Sequence, residues 1–249
     1  MIIRAAGTNC DVETQYAFEL AGATAERVYI DDVKQKNFLD YQIIALPGGF
    51  TYGDDIAAGK ILANEIKYKL RDQFLQFIER ENLIIGICNG FQVLVKCGIL
   101  PGINGYFEEQ TVSLVANDSE RFEGRWVYLK VHPARSVFTN GMKNIITLPV
   151  AHAEGKFVTK SDGVLERIEG LIVFQYADEQ GGDAQYPQNP NGSVLNIAGI
   201  ADQTGRILGL MPHPERFFSY IQHPNHCRDK TPGQGDGFFI FKNAVDHFE

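Results

Sequence analysis

The sequence has few cysteines and no motif that would pair them. Its 249 residues include four cysteines, and no two of them form a CxxC pair. A disulfide framework or a structural zinc site needs closer and more regular spacing. The stretch HPNHC at 223–227 does place two histidines beside a cysteine, but its proline and asparagine favour a loop, and a metal needs further ligands on rigid elements. We therefore expect no metal on this chain and expect most of the cysteines to be small buried side chains.

Other absences narrow the possible partners. No apolar run approaches the thickness of a bilayer, and the first ten residues, MIIRAAGTNC, become polar too early for a secretory signal. The net charge is -8 and the lysines and arginines are not clustered, which disfavours nucleic acid and acidic membranes because both require a basic patch. The phosphate-binding pattern GxxxxGK[ST] is also missing. These absences predict a cytoplasmic protein whose substrate is small or whose partner is another protein.

Apolar segments are abundant, and in the first half of the chain they alternate between two types. The chain is 44% apolar and has no linker or internal repeat, so we expect a single domain over 1–249. Short β-branched runs are separated by amphipathic helices, the longest of which is predicted over 55–81. Strands separated by helices predict an α/β fold with a doubly wound, mostly parallel sheet. The second half differs, because short strands follow one another from 111 to 213 before a last helix over 237–248.

The stretch IIGICNG, residues 84–90, predicts a sharp turn from a strand into a helix. Gly86 and Gly90 remove side chains that would clash in such a turn, and Gly90 can also take a positive φ. Cys88 would then lie at the carboxyl edge of the sheet, where open α/β sheets bind ligands, with a helix N-terminus that favours a thiolate. The GxCxG pattern is moderately specific. The competing interpretation is a buried cysteine beside a glycine-rich turn.

A nucleophilic thiol needs a base, and two histidines compete for that role. His152 and His213 are each followed two residues later by a glutamate, Glu154 and Glu215 respectively. Prolines on both sides of His213 hold that segment extended, so that the glutamate two residues later faces the same side. The glutamate can then bind one ring nitrogen while the other faces Cys88. This pattern predicts that His213 is the base and Glu215 the orienting acid. The alternative is the pair His152 and Glu154 in AHAEG, which has no flanking prolines.

The diglycine in LPGGF follows the third predicted strand. Gly48 and Gly49 allow backbone N–H groups to approach a bound ligand with no side chain between them. Together with the N–H of Asn89 at the start of the elbow helix, they predict two donors for a developing oxyanion. On its own, Pro-Gly-Gly is more often simply a turn.

Together these motifs resemble a known family. GICNGFQ, the PGG loop and PHPE resemble the class I, triad-type glutamine amidotransferases, which implies a flavodoxin-like fold. Further stretches are similar to the glutaminase component of phosphoribosylformylglycinamidine synthase: GTNCDVET, PGGFTYGDD, VAHAEGKF, YPQNPNGS and GLMPHPER. The resemblance covers nearly the whole chain in order, and five motifs in sequence are far more specific than any one of them.

The resemblance implies a role for each matching residue. Cys88 would attack the side-chain amide of glutamine, forming a γ-glutamyl thioester and releasing ammonia, while His213 shuttles the proton and Glu215 orients it. Backbone N–H groups would bind the oxyanion, namely those of Gly49, Phe50 and Asn89. The remaining implied residues would hold L-glutamine: Gly48, Gln92, His152, Glu154 and Gly155. Gln92 lies one helical turn after the nucleophile, which fits that role, but its position alone is equally typical of an exposed helix residue.

The resemblance also implies partners. Free ammonia in neutral water is mostly protonated, so it must pass by a shielded route to the site that uses it. ATP and Mg are expected on a large synthetase subunit, with a small bridging subunit, and the complex would act as a ligase in de novo purine biosynthesis. A free-standing subunit with low glutaminase activity of its own is expected. However, YPQNPNGS and the segment 217–237 resemble the fused enzymes more.

Two other classes of function remain open. One is a different class I amidotransferase or a stand-alone cysteine hydrolase, which would turn over its substrate at full rate without a synthetase. The other is a redox-sensing or binding subunit in which Cys88 does no catalysis. Cys88→Ser would leave the function of such a subunit intact.

Overall fold

The computed structural model describes residues 1–228 and 233–249, and within them eleven strands and seven α-helices follow one another. No described helix combines the length and the apolar character that crossing a membrane requires. The strands are β1 Ile2–Arg4, β2 Arg27–Tyr29, β3 Ile43–Leu46, β4 Leu83–Ile87, β5 Val112–Ala116, β6 Glu123–Val131, β7 Ile145–His152, β8 Glu154–Thr159, β9 Ile172–Ala177, β10 Ile197–Ala201 and β11 Ile207–Leu210. The helices are α1 Asp11–Leu20, α2 Ile30–Val33, α3 Lys60–Lys69, α4 Arg71–Glu79, α5 Asn89–Lys96, α6 Asp162–Ile168 and α7 Phe238–Asp246.

Nine of the described strands form one sheet in the order β2-β1-β3-β4-β11-β10-β9-β6-β7, and β5 and β8 form a small second sheet. The first five strands in that order are parallel neighbours, and the remaining pairings are antiparallel. The order β2-β1-β3-β4 followed by a fifth parallel strand is that of the flavodoxin-like doubly wound folds. The predicted fold class is therefore confirmed, including the additional strands from the second half. The fifth position is filled by β11, from near the end of the chain.

The parallel strands carry the centre of the core. Every residue of β4 is buried, as expected for a strand flanked by parallel neighbours and covered by helices. α5 packs against β3, β4 and β11, and α1 packs against β1 and α7. One contiguous apolar cluster extends from Met1 to Val245. Such a cluster is what a single domain would have, and the single-domain organisation over 1–249 stays a prediction.

The single helix predicted over 55–81 is wrong. The structure has two helices there, α3 and α4, and α3 begins only after Gly59, which takes φ +71. Leu70 joins the two helices with φ -125 and ψ 8, while hydrogen bonds from Leu70 N to Ile66 O and from Phe74 N to Leu70 O still span the joint. Leu70 and Phe74 both stay buried through this bend. Apolar spacing therefore cannot detect the break, because the same residues face the core with or without it.

The strand-to-helix turn requires a glycine where α5 approaches β3. A Cβ added at Gly90 would lie 1.8 Å from the carbonyl oxygen of Leu46. Because backbone cannot move aside as a flexible side chain can, we expect Gly90→Ala to lower the free energy of unfolding by about 3 kcal/mol. Chemical denaturation measures this change. Gly163→Ala in α6 is the matched control, since a Cβ there meets nothing within 4 Å, and it should be neutral or stabilising. Similar losses in both variants would contradict the close approach.

Candidate active site

The carboxyl ends of neighbouring parallel strands bring the predicted residues to one edge of the sheet. β1 leads to the loop that carries Cys10, β3 to Gly48, β4 directly to Cys88, and β11 to His213. This edge is where open α/β sheets bind ligands. β7 reaches the same place from the antiparallel half, because the N–H of His213 donates to the carbonyl of Pro149 in β7 at 2.8 Å.

Cys88 occupies the bend between β4 and α5. Its backbone has φ +50 and ψ -105, a conformation that residues with a side chain rarely adopt. Its N–H donates to the carbonyl of Leu210 in β11 at 2.8 Å, and its sulfur lies 3.8 Å from the carbonyl oxygen of Ala151. Gly90, for which the sequence allowed a positive φ, lies within α5 instead. The backbone strain is therefore concentrated on the thiol-bearing residue itself, as in a nucleophile elbow.

His213 and Glu215 form a buried pair. Nδ1 of His213 lies 2.6 Å from Oε1 of Glu215, and the two residues are 1% and 0% exposed. Burial alone lowers the pKa of His213, but the charges of Glu215 and Cys88 and side-chain hydrogen bonding to Cys10 and Cys88 outweigh it, so this pKa is raised well above 6.5. Nε2 is buried and has no partner of standard hydrogen-bond geometry among the described residues. The ring is therefore oriented by the acid on one side, and Cys88 is close enough to act on it.

His152 has a different environment. It is buried, and its Nδ1 lies 3.2 Å from Oδ1 of Asn117. Burial, and then the charge of His213, lower the pKa of His152 to about 3, so the ring is neutral at physiological pH. Within the described residues, no ion pair joins it to Glu154. Of the two competing His-x-Glu pairs, the structure brings histidine and acid together at His213.

The diglycine loop packs tightly against this pair. A Cβ at Gly48 would lie 2.8 Å from Cε1 of His213. Gly49 takes φ +149, and a Cβ there would lie 2.8 Å from the carbonyl oxygen of Gly7. No side chain fits at either position. Gly48 lets the loop pack against the imidazole of His213, and Gly49 lets it pack against the backbone of Gly7.

Two of the predicted oxyanion donors are in different states. The N–H of Phe50 donates to the carbonyl of Gly7 at 2.9 Å, so it is already engaged in this structure. Asn89 is the first residue of α5, where helix geometry leaves the N–H without an intrahelical acceptor. The N–H of Asn89 is therefore available to an oxyanion, whereas the N–H of Phe50 is not.

Gln92 is buried rather than exposed, with 3% of its surface accessible. Its Nε2 donates to the carbonyl of Glu154 at 2.5 Å, and its Oε1 accepts from Nδ2 of Asn89 at 2.9 Å. Oδ1 of Asn89 in turn accepts from the hydroxyl of Thr51 at 2.6 Å. This network joins α5, the loop after β3 and the start of β8. The structure therefore excludes the alternative that Gln92 is an exposed helix residue.

Two carboxylates border the same network. Nδ2 of Asn89 donates to Oδ1 of Asp54 at 3.2 Å. Burial, opposed by a backbone hydrogen bond from Gly59 and reinforced by the charge of Glu154, raises the pKa of Asp54. Burial lowers the pKa of Lys96, and the charges of Glu154 and Asp54 oppose that shift, so an ammonium group of this chain already lies near both carboxylates.

Cys10 is a site residue that the sequence analysis missed. Its sulfur lies 4.0 Å from Nδ1 of His213 and accepts a hydrogen bond from Nη2 of Arg216 at 3.0 Å. Among the described residues, Cys10, His213 and Glu215 are the group whose ligand atoms lie within 4.8 Å of one another, a set that a soft cation could use. Those atoms already bind one another and a guanidinium. The motif GTNCDVET carried the signal, but nothing in its residue types pointed to the histidine.

The described residues of the segment 217–237 contribute no catalytic side chain to this site. Cys227 in that segment is exposed, and its sulfur lies 3.1 Å from Nε2 of His226. Residues 229–232 lie outside the described part of the chain. The role of this segment therefore stays open.

Comparison with known proteins identifies the family of this chain. A family model described as the CobB/CobQ-like glutamine amidotransferase domain matches residues 1–248. The chain belongs to this family. The amidotransferase is 49% identical to the phosphoribosylformylglycinamidine synthase subunit PurQ of Dehalococcoides mccartyi, over 98% of this chain and 95% of that one. It is 44% identical to the PurQ subunit of Archaeoglobus fulgidus, over 100% of this chain and 96% of that one.

Solved structures agree with these relatives. PurLQS from Thermotoga maritima matches the amidotransferase with a TM-score of 0.76 and 30% identity, covering 100% of this chain and 97% of that one. A putative GMP synthase protein from Thermoplasma acidophilum matches with a TM-score of 0.54 at 15% identity, over 98% of this chain and 91% of that one, which shows the fold alone. The resemblance to glutamine amidotransferases is thus confirmed. The roles of the individual site residues stay predictions.

Proposed function

We propose that this chain is the glutaminase subunit of a phosphoribosylformylglycinamidine synthase. It hydrolyses L-glutamine and delivers the ammonia to a separate synthetase subunit in de novo purine biosynthesis. The observation that carries the proposal is the buried contact of 2.6 Å between His213 and Glu215, next to a strained thiol, in a chain of the amidotransferase family. That combination supplies the nucleophile, the base and the orienting acid of a thiol-dependent acyl transfer.

In the proposed reaction, the Cys88 thiolate attacks the side-chain carbonyl carbon of glutamine, and a C–S bond forms. The N–H of Asn89, with that of Gly49, stabilises the oxyanion of the tetrahedral intermediate. As the C–N bond breaks, Nε2 of the His213 imidazolium gives its proton to the leaving nitrogen, and ammonia departs from a γ-glutamyl thioester. Water then attacks the thioester with the same imidazole as base, giving glutamate and restoring the thiol.

The substrate is held by groups already in place. We assign the backbone end of glutamine to the side of the site that carries Glu154, beside Asp54 and Lys96, whose charges act on one another. Gln92 fixes the backbone of that side through its bond to the carbonyl of Glu154. Gly48, Gly155 and His152 complete the proposed pocket. The N–H of Phe50 can serve as a third oxyanion donor only after it leaves the carbonyl of Gly7. This supports low glutaminase activity for the isolated chain.

The proposed partners follow from the chemistry of the product. Ammonia must reach a second site before water protonates it, and the solved relative is titled PurLQS. We therefore assign ATP and Mg to a large synthetase subunit, with a small bridging subunit, and no cofactor to this chain. A cytoplasmic location is supported by the four unpaired cysteines, which suit a reducing compartment.

Affinity labelling tests the proposal. We expect a glutamine-mimicking diazoketone to form one adduct, on Cys88, and excess L-glutamine to slow its formation, as mapped by mass spectrometry of the digested chain. Cys227 provides an internal control because it is exposed. Iodoacetamide should modify Cys227 readily, whereas the diazoketone should leave it untouched. Labelling elsewhere than Cys88, or labelling that glutamine does not slow, would overturn the proposed function.

A further inference from the structure

The backbone of β8 is bulged at Gly155. In the described pairing of β5 with β8, Glu154 and Lys156 each lie opposite a residue of β5, whereas Gly155 between them has no opposing residue. A Cβ at Gly155 would lie 2.4 Å from ring atoms of His152, so the bulge packs directly against that imidazole. Bulges redirect the backbone, often next to active sites, and the polar groups that they release from the ladder need other partners.

Side chains take the place of the missing ladder partners. The N–H of Gly155 donates to Oδ1 of Asn117 at 3.0 Å. The carbonyl of Gly155 accepts from Nδ2 of Asn191 at 2.9 Å. Two residues further along β8, the N–H of Phe157 donates to Oγ of Ser193 at 2.9 Å. The loop over residues 189–193 therefore acts on this edge of β8 as a neighbouring strand would.

Asn191 uses all of its hydrogen-bonding groups and is 0% exposed. Its Nδ2 donates a second hydrogen bond, to the hydroxyl of Tyr176 in β9 at 3.1 Å. Its Oδ1 accepts from the N–H and from the hydroxyl of Ser193, at 3.1 and 2.7 Å. Because both amide hydrogens donate and the oxygen accepts, the orientation of this amide is fixed. Asn191 thus joins the bulge of the small sheet to a strand of the large one.

The loop that carries Asn191 is itself fixed by further contacts. Oδ1 of Asn189 accepts from the N–H of Gly192 at 3.0 Å, and Nδ2 of Asn189 donates to the carbonyl of Ser193 at 3.1 Å. Gly192 has φ +80, and a Cβ there would lie 1.9 Å from Oδ2 of Asp118. The loop therefore supports the bulge as a rigid element.

The bulge is also joined to the helix that follows the nucleophile. The carbonyl of Glu154, one residue before the bulge, accepts from Nε2 of Gln92 in α5. α5 begins directly after Cys88. Gln92 on one side and Asn191 on the other therefore determine how far this part of β8 lies from the sulfur. This is the side of the site to which the backbone end of glutamine is assigned.

We propose that Asn191 is a positioning residue for glutamine binding, which holds the Gly155 bulge at its distance from Cys88, and that Ser193 is the second support. The inference rests on the proposed function and extends it to the 189–193 loop. Both side chains act on the backbone of β8 and on each other, whereas the thiol is held by β4, β11 and α5. Their loss should therefore weaken binding of the amino-acid end of glutamine and leave the reactivity of the thiol unchanged.

Two thiol reagents test this distinction in the full chain. The glutamine-mimicking diazoketone carries the amino-acid end of glutamine, whereas iodoacetamide does not. Asn191→Asp keeps the size of the side chain but turns a carboxylate oxygen towards the carbonyl of Gly155. It should raise the diazoketone concentration for half-maximal labelling of Cys88, and the KM for glutamine, about tenfold. The kcat and the rate at which iodoacetamide modifies Cys88 should stay within about twofold. Mass spectrometry of the digested chain measures both labelling rates.

Asn196→Asp is the matched control. It makes the same exchange in a side chain whose described hydrogen bonds go to Asn189 and Asp183 and not to the bulge. It should leave the half-maximal diazoketone concentration unchanged. A shift as large as that of Asn191→Asp would show a general loosening of the segment and would overturn the inference.

The outcomes separate this inference from the proposed function. If the diazoketone does not label Cys88 in the wild-type chain, the proposed function and the inference both fail. If it does, and Asn191→Asp leaves the half-maximal concentration unchanged or slows iodoacetamide equally, the inference alone fails.

Ser193→Ala keeps the proposal testable if Asn191→Asp does not fold. It removes one hydroxyl and leaves the bond from Asn191 to Gly155 in place. It should raise the half-maximal diazoketone concentration about threefold. An unchanged value in this variant would overturn the role of the loop.

Discussion

Replacing Cys88 with alanine should lower the rate of glutamine hydrolysis by about 10⁴-fold or more, because the sulfur forms the bond to the substrate. Glutamine should still bind, since the residues proposed to hold it are other than Cys88. Ammonia release at saturating glutamine, together with mass spectrometry of the trapped thioester, measures the loss. The fold should persist, because alanine differs from cysteine here by one sulfur atom and meets the same backbone strain.

Cys97→Ala is the matched control for this prediction. Cys97 is fully buried at the end of α5, and burial raises its pKa to about 12, so it is an unreactive thiol. The control should keep its activity and lose some stability, because it creates a small cavity. Ammonia release at an unchanged rate by the Cys88 variant would sink the proposed mechanism. So would loss of activity in a folded Cys97 variant.

Replacing Glu215 with glutamine should lower kcat by about 10³-fold to 10⁴-fold, as loss of the orienting acid does in triad enzymes. The carboxylate lies 2.6 Å from Nδ1 of His213 and therefore fixes the ring, while Nε2 has no partner of standard geometry among the described residues. A glutamine side chain can present its amide hydrogens to Nδ1, which favours the wrong tautomer. Steady-state rates of ammonia release measure the effect.

The same variant should move the basic limb of the pH profile of kcat/KM. The pKa of His213 is raised above 6.5 because the Glu215 carboxylate and its other neighbours outweigh burial. The imidazolium that protonates the leaving nitrogen therefore persists at neutral pH in the wild type. Without the carboxylate, burial lowers this pKa, so activity should fall at lower pH than in the wild type.

The free energy of unfolding should also depend on the pKa of His213. A raised pKa in the folded state stabilises the protein fully below the unfolded value, and that stabilisation is lost as pH rises through the folded value. In Glu215→Gln the free energy of unfolding should no longer fall as pH rises through this range. Chemical denaturation at several pH values measures the change. Glu123→Gln is the control, because Glu123 is also buried but pairs with Arg125 and not with a histidine. A basic limb that stays in place in Glu215→Gln, or moves equally in the control, would show that Glu215 does not set this pKa.

The bend at Cys88 and the pairing of His213 with Glu215 could be predicted from the sequence because their signals are local. Ile84 to Ile87, followed by a thiol between glycines, defines an elbow without reference to the rest of the chain. The extended segment predicted from the prolines around His213 is wrong. His213 has φ -106 and ψ 89, and Pro214–Arg216 form a 3-10 turn in which Glu215 still reaches the ring of His213. β11 pairs parallel to β4 and so brings the two segments to the same edge of the sheet. The alternation of strands and helices predicted parallel pairing only for the first half of the chain, so this contact was not foreseen from it.

Long-range contacts limited the rest of the prediction. Asn117 is 35 residues from His152 and 38 from Gly155, and Cys10 is 203 residues from His213. No spacing rule links residues so far apart. The break at Leu70 was missed for the opposite reason, because it changes the backbone without changing which side chains are buried. The acceptor substrate was inferred from resemblance, since its site would lie on a partner.

β11 constrains how a partner could control this enzyme. It pairs with β4 on one side and β10 on the other, so the parallel and antiparallel halves share a strand. A hinge between the halves would break backbone hydrogen bonds along β11, the strand that leads to His213. If a docked partner activates the chain, as proposed, we expect it to act through the edge loops, such as the peptide that joins Phe50 to Gly7, and to leave the sheet unchanged.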